Sequence, residues 1–108
     1  MNSVSLIGTL VEDPDLRERV DEPVRCTMRL AVSRRDDRGQ QLPGVVYVEI
    51  ATFGLKARDC AERLRRGDRL GLTGRLERDE YRAESGEWLV EYAVLADQLD
   101  FPSKRPSP

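Results

Sequence analysis

The chain of 108 residues contains no histidine. This removes the side chain that most often acts as a general base near neutral pH and most often ligates a metal. Cysteine is scarce: Cys26 and Cys60 stand far apart and match no metal-ligand spacing. Both fall on the apolar phase of their segments, so buried, reduced thiols are expected. Aromatic residues make up only 6% of the chain, which calls for a largely aliphatic core. No apolar run is long enough to cross a membrane, and no signal-peptide pattern precedes Asn2-Ser3-Val4, so a cytoplasmic chain is expected. An excess of one charge is missing too, since 18 Lys and Arg face 20 Asp and Glu for a formal net charge of −2. That excludes a uniformly basic surface and confines any nucleic-acid site to a local patch. No metal constellation and no activated nucleophile can be assembled from these residues, so neither a cofactor nor an enzyme is expected.

What the chain does have is one informative strand. Val45 to Gly54 (VVYVEIATFG) is rich in β-branched and aromatic residues and stops at glycine. Because side chains alternate, Val46, Val48 and Ile50 are assigned to the core and Tyr47, Glu49, Ala51 and Phe53 to the other face. Two rings on the less apolar face leave an unfinished surface. Either another sheet or chain covers them, or flat ligands such as nucleobases stack on them.

The rest of the chain supplies the scaffold. Residues 3–11 read as a strand with apolar groups on both phases: Val4, Leu6 and Leu10 on one, Ile7 and Val11 on the other. Such a strand expects cover from both sides, for instance from a second subunit. Glu12-Asp13-Pro14-Asp15 breaks it. Residues 24–33 alternate cleanly, with Val24, Cys26, Met28, Leu30 and Val32 inward and Arg25, Thr27, Arg29, Ala31 and Ser33 outward. A polar loop, 34–44, carries Arg34, Arg35 and Arg38 among Asp36 and Asp37. Leu55 to Arg66 is read as the one helix, with Ala57, Cys60, Ala61 and Leu64 at helical spacing, Arg65 and Arg66 in its last turn, and Gly67 to end it. Residues 69–81 resume the strand pattern, with Leu70, Leu72, Gly74 and Leu76 inward and Arg75 and Tyr81 outward. Arg82 to Glu87 turn a hairpin around Ser85-Gly86, and residues 88–99 return. There Val90, Tyr92 and Val94 share the core phase.

Three strands, a helix and two strands predict an all-β fold: a closed five-stranded Greek-key barrel of the OB type, with its helix between strands three and four. Closure removes the sheet edges that so strand-rich a chain would otherwise expose. The length implies one domain, residues 1–101, followed by a short disordered tail, 102–108.

An ordered set of short stretches resembles the bacterial single-stranded DNA-binding protein family. They are the opening strand through Gly8 and Leu10 into Asp13-Pro14-Asp15-Leu16-Arg17, then Phe53-Gly54, Arg66-Gly67 and Gly74-Arg75-Leu76. The resemblance implies an OB-fold that binds single-stranded DNA regardless of sequence, in replication, recombination or repair, and assembles as a homotetramer. It also implies that the family's base-stacking aromatics correspond to Tyr47, Phe53 and Tyr81. Departures from the pattern are Arg35-Asp36 where the family often has an aromatic, and Glu49 where it is often basic. The chain stops at Pro106-Ser107-Pro108 without the family's acidic tail, so recruitment of repair enzymes through such a tail is not expected.

Single-strand binding needs flat rings for bases and cations for phosphates. Tyr47 and Phe53, six residues apart on one face, stand about 20 Å apart at ~3.4 Å per residue. Arg25, Arg29, Arg75 and the loop residues Arg34, Arg35 and Arg38 are the candidates to follow the backbone. Trp88 is assigned first to packing or an interface and second to DNA contact, while Tyr92 is left out of the site. A competing class is a protein-interaction or primosome-type accessory module on the same fold, motivated by Glu49, the acidic balance and the missing tail.

Overall fold

Alternating residues become six strands in the computed structural model, which describes residues 1–102 apart from the side chains of Asp79, Tyr81 and Arg82. The strands are β1 (Val4–Leu10), β2 (Asp15–Arg17), β3 (Arg25–Arg35), β4 (Gln41–Phe53), β5 (Arg69–Arg82) and β6 (Trp88–Asp100), with the helix α1 (Leu55–Arg63) between β4 and β5. The sheet runs β1-β5-β6-β4-β3-β2, and β1 returns to pair with β3. That return, at Thr9↔Ala31 and Leu10↔Leu30, and the short parallel pairing of β4 with β6 at Ile50↔Val94 and Ala51↔Leu95 close five strands into a barrel. The five-stranded OB architecture is therefore present, with β2 as a short addition on the edge of β3. Of the tail expected over 102–108, residues 103–108 lie outside the described residues.

Two glycines permit the close approaches at the barrel's seams. A Cβ on Gly8 would sit 2.4 Å from the carbonyl oxygen of Ala31, and one on Gly74 would sit 2.1 Å from that of Leu95. Gly74 also marks the place where the β5–β6 register slips. Inside the barrel, Leu10, Cys26, Met28, Leu30, Ile50, Leu70, Leu72 and Val94 pack together, and Ala57, Cys60 and Leu64 join them from the helical segment. Burial pushes the Cys26 thiol up to about 12 and that of Cys60 up to about 11, so both remain protonated and inert near neutral pH.

Several expectations are corrected. The helix stops at Arg63 rather than Arg66, because Leu64 turns to an extended conformation and is fully buried. Arg65 nevertheless serves the helix end, donating from Nη1 to the carbonyls of Ala61 (2.9 Å) and Leu64 (2.7 Å). Most of the expected loop 34–44 is strand; β3 runs to Arg35 and β4 starts at Gln41. The turn between them is held by Asp36, whose Oδ1 accepts from the backbone N–H groups of Arg38 and Gln40. Val46, Leu76, Val90 and Tyr92, all read as inward, are exposed, and Ala51, read as outward, is buried. The cause of the exposure is length: β4 and β6 have 13 residues and β5 has 14, or about 45 Å of chain at ~3.4 Å per residue. Strands that long overhang a small barrel, and their inward phase emerges into solvent beyond its rim.

Candidate functional site

The outer face of β3 and β4 carries the two rings singled out from the sequence. Tyr47 is 55% exposed and Phe53 41%, and each meets a guanidinium from β3. Arg25 is the cross-strand partner of Phe53, and its guanidinium lies 5.6 Å from the ring centroid. Arg29, paired with Glu49 in register, reaches diagonally so that its guanidinium lies 4.8 Å from the Tyr47 centroid. The site is thus two ring–guanidinium pairs on one face, set by strand alternation and antiparallel register.

Carboxylates temper that face. Glu49 Oε1 lies 3.4 Å from Arg29 Nε. Burial holds the Glu49 carboxyl above its usual range; Arg29 opposes this, while Glu91 and Glu12 add to it. Arg75 is outward as expected but spans two acids, with Nε 2.8 Å from Glu77 Oε1 and Nη1 3.0 Å from Asp97 Oδ1. The bond to Glu77 is the main reason its own proton is held more tightly. Between Phe53 and Arg75 lies a recess of about 320 Å³ floored by Ala51, Ala93 and Leu95. Ala51 is buried here because β6 pairs alongside it.

The remaining candidates separate. Arg34 donates to the carbonyl of Pro43 (3.0 Å) and Arg35 to that of Gly39 (2.9 Å), which ties both to their own hairpin. Arg35 also borders a recess beside Leu6, Ile7, Val32 and Leu99, on another part of the surface. Arg38 is exposed at the hairpin tip. The backbone of Tyr81 pairs with Leu89, but its side chain, and with it the third stacking assignment, lies outside the described residues. Trp88 is 63% exposed and faces a groove shared with Arg17, Arg19 and Arg25. Sequence reasoning missed Arg17, which β2 places directly across from Arg25. A three-residue strand beside a proline has no alternation to read. It also misplaced Tyr92, which is 65% exposed on the overhang.

A closed barrel with ring–guanidinium pairs on an open face defines a class, and comparison with known proteins assigns it. The single-strand binding protein family matches residues 1–102, and the chain belongs to that family. It is 35% identical over 107 residues to the single-stranded DNA-binding protein of Thermus aquaticus, covering 99% of this chain and 40% of that protein. It is 30% identical over 105 residues to the protein of the same name from Bacillus cereus (97% of this chain, 62% of that protein). The Helicobacter hepaticus protein is 28% identical over 108 residues (98% and 64%). The chain therefore spans about two fifths to two thirds of the length of these relatives. Among the described residues, no helix is long and apolar enough to cross a membrane.

Proposed function

We propose that the chain binds single-stranded DNA without sequence preference, stacking bases on Tyr47 and Phe53 while Arg29 and Arg25 meet the phosphates. The carrying observation is the pair of exposed ring–guanidinium contacts on one face, in a chain matched almost end to end by a single-strand binding family. Tyr81 is the third stacking station in this reading, and Arg75, Arg34, Arg35 and Arg38 contribute secondary phosphate contacts. The role is protection of single strands during replication, recombination or repair, in the cytoplasm. Stacking contributes about 1–3 kcal/mol per base, so two or three stations in one subunit give modest affinity. Several subunits on one strand raise it through effective concentration.

A homotetramer fits the exposed apolar surface. Ile7 on β1 and the overhanging phase of Val46, Leu76, Val90 and Tyr92 are large apolar groups left in solvent by the single chain. Along Val4 to Gly8, β1 pairs with β5 only, which leaves one strand edge open among the described residues. A second copy covers both features.

Anisotropy titration of a labelled oligothymidine tests the reading. Binding at low salt is expected, with log affinity falling against log salt by about 0.7 per phosphate neutralised. Absence of binding at low salt overturns it in favour of a protein-interaction module. That second reading draws on one observation: Arg29 and Arg75 are engaged by carboxylates on the face where phosphates would run.

A further inference from the structure

Arg25 borders two cavities. One is the recess walled by Phe53; the other is a groove of about 720 Å³ between the β2–β3 face and the β5–β6 hairpin. Arg17 and Arg25, cross-strand neighbours, lie on one side of this groove, and Trp88 lies on the other. The groove falls within the ~300–1,000 Å³ typical of small-molecule sites. Trp88 follows directly on the hairpin turn, which is closed by the Ala83 N–H donating to Glu87 at 2.9 Å. Its indole is the chain's only one, and it takes no part in the barrel core. The groove's acids are partly neutralised within the chain: Asp15 bonds Arg17 at 3.1 Å, and Glu80 is paired with Arg78. Glu22 and Glu84 also line it, so the place favours stacking over strong phosphate capture.

We propose that Trp88, with Arg17 opposite, forms a further base-stacking station, reached by a single strand that passes Phe53 and turns over Arg25 into the hairpin groove. This rests on the single-strand binding proposed above and adds a path: along β4, then across β3 and β2 under the β5–β6 hairpin. An exposed indole offers a larger π-face than either Tyr47 or Phe53, and base stacking is tolerant of sequence. Arg25 is the hinge of this path because it belongs to both cavities.

The single tryptophan makes the test direct. Labelled oligothymidines of increasing length are titrated while anisotropy reports binding and intrinsic emission reports the indole. Beyond a threshold length, quenching of Trp88 is expected to track the anisotropy curve. Trp88→Ala is expected to lower affinity about five-fold or more for long oligonucleotides, with little effect on those too short to reach the groove, and Trp88→Phe is expected to restore most of the loss. Binding by anisotropy with unchanged indole emission, or with unaltered affinity in Trp88→Ala, overturns the hairpin path while leaving single-strand binding intact. No anisotropy change at low salt overturns both.

Discussion

Arg29 sits between two competing neighbours, the Tyr47 ring and the Glu49 carboxylate, and the balance among them sets what this part of the face offers a nucleotide. Tyr47→Ala removes the ring and is expected to weaken oligothymidine binding several-fold while leaving thermal unfolding nearly unchanged, since Tyr47 is more than half exposed. Glu49→Gln should act in the opposite direction. Freed of its carboxylate partner, Arg29 becomes available to a phosphate, and affinity is expected to rise on the order of two- to five-fold, the scale of an exposed ion pair. The pH dependence has the same sign. Burial raises the Glu49 carboxyl, so lowering pH protonates it before ordinary carboxylates, releases Arg29 and tightens binding. Titrations between neutral and mildly acidic pH are expected to show this rise in the natural chain and a flatter profile in Glu49→Gln. The two thiols make a separate expectation. With Cys26 and Cys60 fully buried and their thiolates disfavoured, a thiol reagent should label neither in the native protein and both after unfolding.

Elements were legible in kind more than in extent. The clean alternation from Val24 to Ser33 placed Cys26, Met28 and Leu30 inward as found, because a half-buried strand writes its period directly into the sequence. The same rule misassigned Val46, Leu76 and Tyr92. Phase along a strand says which residues share a face, and nothing in it says where the barrel ends. The helix end was misjudged for a related reason: Leu64 has helical spacing and is buried, yet it reaches the core from an extended residue just past α1. At the seams, close packing makes a sharper expectation. Gly74→Ala drives a methyl into the Leu95 carbonyl and is expected to destabilise the barrel by about 1–3 kcal/mol, read as a drop of several degrees or more in the unfolding midpoint.

The proposed assembly would cover apolar surface that the single chain leaves exposed. If the overhanging strands pack against another copy, Tyr92→Glu places a charge in that contact and is expected to reduce the solution mass from a tetramer to a smaller species, as measured by light scattering. Affinity for long oligothymidines should fall with it, because stations on separate subunits no longer act on one strand. A natural chain that is monomeric at working concentrations would overturn this assembly. The ion pairs on the proposed binding face have a consequence at the same scale. With a net charge of −2, long-range attraction to DNA is expected to be weak, so in the proposed reading local stacking carries more of the affinity than in a basic protein.

The order of strands around one helix, the barrel they predict and the outward phase of Tyr47, Phe53, Arg25 and Arg29 follow from residue periodicity and turn chemistry, which are local properties. The Arg29–Glu49 and Arg75–Glu77–Asp97 pairings, the β2 strand that sets Arg17 against Arg25, and the groove beneath Trp88 were decided only when the chain closed. Apart from the bond between Arg75 and Glu77, two residues apart on β5, each depends on cross-strand register or on how far the strands overhang the barrel, and those are set by contacts between residues distant in the chain.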